Sequence, residues 1–338
     1  MKPRVGFLGL GWIGRHRLRS LVASEAVEVA GLADANPAAI EEARALAPAA
    51  PVVATLEELL DLQPDGLVIA TPSAQHAREA IAVLNRGIAV FVQKPLARTG
   101  AEAGQVVAAA RAADRLLGVD LSYRHTRAIA AVRELLQAGT LGSVYAADLV
   151  FHNAYGPDKP WYYDRATSGG GCVMDLGIHL VDLAVWLLGG TALVASCHLF
   201  AGGRPWTAER RDVEDFAVAQ LELSSGAVAR LACSWRAPAG CHAVIGLELT
   251  GTRGGARFRN VQGSFYDFVA EHLDGTSTRV LASPPDDWGG RAAIAWTHQL
   301  ARGGRYDPAC ESQITLARAI DDLYRAGAER TSMMTSRA

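Results

Sequence analysis

Short apolar runs alternate with helically spaced segments through the first 120 residues. Arg4–Leu8, Glu28–Ala33, Gly66–Ala70, Ile88–Val92 and Leu116–Val119 are runs of four to six mostly apolar residues bounded by turn formers. That is the pattern of strands buried on both faces. Between them, Trp12–Ala23, Pro37–Leu46, a segment through Glu79 and Leu84, and Gly100–Asp114 are spaced as helices. Asn36 stands as a cap before Pro37, and Thr55-Leu-Glu-Glu reads as a capping box for a further short helix. Strands alternating with helices predict an α/β domain, a doubly wound parallel sheet, over residues 1–121.

The pattern changes over 122–338. Ala128–Gln137 is helical, Ser143–Phe151 alternates as a strand, and Gly169–Gly171 leads into a helix reaching Leu188. Strand-like stretches follow at Ala192–Phe200, Phe216–Leu223, Ala227–Trp235, Ala243–Thr250 and Gly255–Asn260, joined in part by hairpin turns at Ser225-Gly226 and Thr252-Arg253-Gly254. A terminal helix is predicted over Ile314–Tyr324. The layout is a second, α+β domain with an open, largely antiparallel sheet; its terminal helix is one candidate to pack back on the first domain.

Composition narrows the function classes. With 33 basic and 35 acidic residues the net charge is −2, so nothing indicates a nucleic-acid or membrane-surface partner. Leu180–Leu188 is interrupted by Asp182, and no signal-peptide cleavage site follows the N-terminal apolar run. The five cysteines include no C-x-x-C pair, so neither a disulfide framework nor a metal site is expected, and the expected location is cytoplasmic. All but three of the 33 basic residues are Arg, which singles out Lys94, the only Lys between residues 3 and 158.

Three clusters carry chemistry. Gly9-Leu10-Gly11-Trp12-Ile13-Gly14 sits between the first strand and first helix, and Asp34 ends the second strand. In that context G-x-G-x-x-G reads as a dinucleotide (Rossmann) fingerprint, with phosphates on a helix N-terminus and Asp34 on the ribose hydroxyls. Ala35-Asn36-Pro37 offers no cation for a 2′-phosphate, so NAD is expected over NADP. Thr71, Pro72 and His76, then Gln93 and Lys94, follow strand C-termini, where ligands bind in such sheets. An ammonium at Lys94 can steady a developing alkoxide and share a proton, which a guanidinium cannot. In the third cluster Asp175, His179 and Asp182 follow Gly169-Gly-Gly171 at helical spacing, placing carboxylates beside an imidazole as a general base requires. Metal binding and a merely capped helix are the competing readings. Trp161, Tyr162 and Tyr163 are candidates to wall a substrate pocket, with Tyr123, Arg124, His152 and Asn153 as further candidate substrate contacts.

Together, G-L-G-W-I-G, A-T-P-S-x-x-H, Q-K-P-L-A and G-G-G-x-x-x-D-L-G-I-H-x-x-D resemble the Gfo/Idh/MocA family of nicotinamide-dependent sugar and cyclitol oxidoreductases. Tyr123-Arg124 and Val213-Glu-Asp-Phe216 extend the resemblance over nearly the whole chain. It implies that Lys94 is the catalytic lysine, that Asp175 and His179 are the acid and base pair, and that the substrate is a small polyol, sugar or aminosugar. It further implies a homodimer or homotetramer built through the second domain's open sheet. Gln93 departs from the family's usual Glu, keeping the hydrogen bond but not the charge. Two alternatives remain open at this point: a redox-assisted glycosidase, in which the cofactor is recycled without net turnover, and a non-catalytic dinucleotide-sensing regulator.

Overall fold

The computed structural model describes residues 2–208 and 212–335. By contacts the chain divides into two units: residues up to Ser122 with Gly289–Ile314, and Tyr123–Trp288 with the chain from Thr315 on. The segment Gly289–Ile314 therefore departs from the sequence expectation that everything beyond 121 belongs to the second domain. It, rather than the terminal helix, returns to the first unit.

In the first unit β1 (Arg4–Leu8), β2 (Glu28–Ala33), β3 (Gly66–Ile69), β4 (Ala89–Gln93) and β5 (Leu117–Asp120) form a parallel sheet in the order β2-β1-β3-β4-β5. Helices α1 (Trp12–Ala23), α2 (Pro37–Arg44), α3 (Leu56–Asp61), α4 (Ser73–Asn85) and α5 (Gly100–Ala113) connect them. Beyond β2 a single parallel bridge joins Leu32 to Val52, with Leu32 N donating to the Pro51 carbonyl and Val53 N to the Leu32 carbonyl. Counting that bridge as a vestigial strand gives the 3-2-1-4-5-6 order of dinucleotide-binding sheets. Pro51 lacks a donor, and the segment is too short to pair further.

Helix α9 (Arg291–Ala301), unassigned in the sequence, completes this core. It packs on α1, β4 and β5. The Trp296 indole lies 5.6 Å from the Phe91 ring, and so close to the sheet that a Cβ on Gly66 or Gly118 would fall 2.6 Å from it.

The second unit contains α6 (Arg127–Gln137), β6 (Val144–Asn153), a single turn α7 (Arg165–Ser168), a π-helical turn over Val173–Gly177, and α8 (Ile178–Leu188). Then come β7 (Ala192–Ala201), β8 (Arg204–Pro205), β9 (Phe216–Leu223), β10 (Val228–Ser234), β11 (Ala243–Gly251), β12 (Gly255–Asn260), β13 (Phe268–Asp274) and β14 (Ser277–Ala282). Helix α10 (Ser312–Thr335) is longer than the predicted terminal helix. The nine-stranded sheet has the order β14-β13-β12-β11-β6-β10-β9-β7-β8. It is largely antiparallel, but β6 inserts between two meanders and runs parallel to β10. The stretch Arg165–Leu188 is long and apolar enough to cross a membrane, yet 72% of its 18-residue apolar window is buried, as in a core helix.

Candidate active site

In the first unit the glycines divide the labour as their spacing predicts. Gly9 has φ of +86°, and a Cβ there would sit 2.5 Å from the Ala70 carbonyl carbon. A Cβ on Gly14 would sit 2.0 Å from the Gly9 carbonyl oxygen, so helix α1 can approach β1 only without one. Gly11 faces open space, with nothing within 4 Å of a Cβ, and no side chain caps the first turn of α1. The N–H groups at that end are open to a pyrophosphate. Asp34 is half-buried, and its two carboxylate oxygens accept from Leu10 N and, at 2.7 Å, from Asn36 N. It is thereby fixed at the strand end, where a ribose diol would lie. Trp12 is exposed and tilted over His16, with Ile13 half-buried and Ala35 exposed beside it. Donor set, cradle and carboxylate fit a dinucleotide.

At the next strand ends Thr71, Pro72, Gln93 and Lys94 are all half-buried. The Thr71 hydroxyl donates to Glu79 Oε2 at 2.6 Å, and burial pushes the Glu79 carboxyl above its ordinary range. His76 requires a correction. It is 1% exposed, with Nδ1 2.7 Å from the Pro95 carbonyl and Nε2 2.7 Å from the Thr71 carbonyl. Each ring nitrogen faces a backbone carbonyl, the one N–H of the neutral ring donating to one of them, so the side chain lies between the two loops, buried and without an open face. Burial keeps its pKa below the usual imidazole value, against the pull of the two carbonyls.

In the second unit Asp175 is the hub. Its Oδ2 accepts from Trp235 Nε1 at 2.9 Å. After burial itself, the Asp175 charge is the next cause raising the pKa of both the Tyr123 and Tyr162 hydroxyls. His179, 9% exposed, lies edge-on to Tyr123 with ring centroids 4.9 Å apart and 6.2 Å from Phe151. Tyr162 stacks on Trp161 at 3.8 Å and meets Trp235 edge-on. Carboxylate, imidazole, two phenols and an indole thus gather in one cluster of the second unit.

Several sequence expectations change. Asp175 lies in a π-helical turn and His179 at the start of α8, so the two do not share one regular helix face. Asp182 does not serve His179: it is 3% exposed and paired through both oxygens with Arg124 Nε, at 2.9 Å, and Nη2. Arg124, which also lies over the Trp186 ring, is thereby engaged as a structural partner of α8. His152 neighbours Phe151 on β6, and strand alternation sends it to the opposite sheet face. There its Nδ1 meets Ser234 Oγ at 3.0 Å and its ring stacks on Phe216. Asn153 shares the parity of Phe151 and so belongs to the His179 face; its buried Oδ1 has no partner among the described residues.

Trp235 was missed in the sequence, although it follows β10 with the parity of the buried Leu231 and Cys233. Glu214 and Tyr324 were also missed as site residues; the first stood within a familial motif and the second inside a predicted helix. Among the described residues no group of three or more His, Cys, Asp or Glu could hold a metal ion.

Comparison with known proteins agrees with this geometry. Residues 3–121 match the model described as "Oxidoreductase family, NAD-binding Rossmann fold", and residues 129–257 match the GFO/IDH/MocA C-terminal domain. A putative UDP-kanosamine synthase oxidoreductase subunit from Amycolatopsis mediterranei is 32% identical over 251 residues, 70% of this chain and 69% of the relative. A 1,5-anhydro-D-fructose reductase from Ensifer adhaerens is 30% identical over 62% of this chain and 61% of its own length. Among solved structures, GenD2 from gentamicin A biosynthesis, in complex with NAD, superposes with a TM-score of 0.81 at 25% identity, covering 97% of this chain and 94% of that one. Rossmann cradle, acid and base cluster, and matches across both units establish that the chain belongs to the Gfo/Idh/MocA family of NAD-binding oxidoreductases.

Proposed function

We propose that the protein is an NAD-dependent dehydrogenase acting on a secondary hydroxyl of a sugar, aminosugar or cyclitol, or reducing the corresponding ketone. The observation that carries the reading is the grouping of Asp175, His179, Tyr123, Tyr162 and Trp235 in the second unit, in a chain whose first unit has a formed dinucleotide cradle. Relatives named for UDP-kanosamine synthesis and anhydrofructose reduction support the substrate class.

Bound NAD supplies the hydride acceptor or donor. The chain's own residues do the rest. His179 Nε2 or Nδ1 takes the hydroxyl proton in the oxidative direction, and returns it in reduction. Asp175, anchored by the Trp235 indole, accepts from a neighbouring substrate hydroxyl and so orients the carbinol. The Lys94 ammonium steadies negative charge developing on the oxygen. Aromatic faces of Trp161 and Tyr162 suit the C–H faces of a sugar ring, and Asn153 offers an acceptor at the end of β6. The half-apolar outer sheet face, with Val150, Ala232, Val218 and Val244 in neighbouring strands, supports a homodimer or homotetramer through the sheet. Five free thiols suit a reducing, cytoplasmic compartment.

The test is a panel of sugars, aminosugars and cyclitols, free and nucleotide-linked, with NAD or NADP, following reduced-cofactor absorbance. Sustained reduction with one substrate class supports the reading. Product release without lasting reduction would favour a redox-assisted glycosidase, and NAD binding without turnover of any substrate would favour a sensor. If Lys94 and His179 serve one carbinol, the losses in the Lys94→Ala and His179→Ala variants will not add in the double variant.

A further inference from the structure

The three-glycine run before Asp175 has a structural cause in a residue with no assigned role. Glu214, fully buried, lies just before β9. Its Oε1 accepts from Gly171 N at 3.0 Å, from Val173 N at 2.9 Å and from the Tyr324 hydroxyl at 2.8 Å, while Oε2 also meets Gly171 N at 3.0 Å. The Glu214 carbonyl accepts from Cys172 N at 3.0 Å. One residue thereby receives every backbone N–H from Gly171 to Val173, the donors left over where a helix begins. The approach is so close that a Cβ on Gly171 would fall 1.9 Å from the Glu214 carbonyl oxygen, and one on Gly170 would fall 1.9 Å from the Tyr324 hydroxyl.

We propose that Glu214, backed by Tyr324 of α10, is a positioning residue that sets the π-helical turn and so places Asp175 and His179 for proton transfer. The proposal rests on the dehydrogenase reading for its kinetic consequence, though not for its structural one. The turn begins at Val173, whose N–H is held by Glu214, and Asp175 follows two residues later with its carboxylate bonded to Trp235. A shift of the first turn therefore moves the acid directly and changes the direction from which α8 delivers His179. Tyr324 contributes from a distant part of the sequence, so α10 is a brace for the site.

Three variants test this. Glu214→Gln keeps an acceptor at Oε1, Tyr324→Phe removes one donor and little volume, and Glu214→Ala removes the whole support. On the best substrate of the panel, Glu214→Ala should lose about 10²-fold in kcat, the scale of an ångström-sized misplacement, with KM for NAD nearly unchanged. Tyr324→Phe should lose less, and Glu214→Gln should restore most of the rate. The indole N–H resonance of Trp235, which reports its bond to Asp175 without any turnover, should move in Glu214→Ala and Tyr324→Phe and stay in place in Glu214→Gln. If Glu214→Ala does not fold, Tyr324→Phe decides by the same two readouts. A native kcat together with an unmoved Trp235 resonance in whichever of the two variants decides would overturn the proposal. If the wild-type protein turned over no substrate, the dehydrogenase reading would fall, while the Trp235 resonance would still decide the role of Glu214.

Discussion

Single side chains carry the sharpest consequences. Asp34 is pinned by two backbone N–H groups, so it cannot swing aside for a 2′-phosphate. Replacing it with Ala should shift preference from NAD towards NADP by about 1–3 kcal/mol, the scale of a charge pair in a partly solvated site. Titrations with both cofactors check this; a native protein that already prefers NADP would refute the assignment. Lys94→Arg should be nearly inactive while binding NAD close to normally, because the planar guanidinium neither fits the ammonium's place nor gives up a proton. Turnover near the native rate would remove Lys94 from the mechanism. At this scale the sequence was legible for backbone chemistry and less so for side-chain partners. Gly9, Gly11 and Gly14 could be assigned in advance because strand, turn and helix dictate their conformations. The partners of His76, Arg124 and His152 were not legible because they depend on groups distant in the chain or on strand parity, and spacing alone does not reveal which neighbour claims a polar atom.

Helices and strands explain how Asp175 and His179 come to be held where they are. Helix α8 is anchored by the Arg124–Asp182 pair, with Asp182 buried and Arg124 only 21% exposed. Arg124→Ala should destabilise the protein by about 3–5 kcal/mol, because an unpartnered carboxylate is left in the core. Arg124→Met with Asp182→Leu should recover most of that loss in chemical denaturation; a double variant no better than the single one would contradict it. Burial raises the carboxyl pKa of Asp182, against the Arg124 charge, and that of Glu214, against its N–H and hydroxyl donors. A raised folded-state pKa means that the native form holds protons the unfolded chain has released. The stability so contributed is full below the unfolded carboxyl pKa and is lost as pH rises through the folded value. Glu214→Gln should therefore become progressively more stable relative to wild type as pH rises across that window, and a pH-independent difference would refute the sign. The predicted β-hairpins at Gly226 and Gly254 were read correctly because their turn chemistry is local. Strands β13 and β14 were not, since Glu271 and His272 break the apolar alternation. Glu271 is kept in place by Arg257 and Arg259 from the neighbouring strand, a compensation invisible without the pairing.

For the whole molecule, the outer sheet face offers the largest prediction. Val218 and Val244 are 42% and 37% exposed on strands whose other face is core. If the sheet face carries the proposed homodimer or homotetramer, Val218→Asp should give a smaller species in sedimentation while leaving the fold intact by circular dichroism; an unchanged sedimentation coefficient would refute that contact. The order of layers was legible from the switch between strand–helix alternation and strand runs. The return of Gly289–Ile314 to the first unit was not, because α9 has no local feature that names its partner sheet. That return has a consequence for biosynthesis. The first unit's sheet is translated by residue 120, yet the indole that covers Gly66 and Gly118 is not made until residue 296. On the ribosome the nucleotide-binding half therefore waits, Gly66 of β3 and Gly118 of β5 uncovered, while Tyr123–Trp288 of the second unit emerges. The half that begins synthesis first is thus completed only after most of the other has been made, and a nascent chain stalled between residues 121 and 290 should be the species most in need of a chaperone.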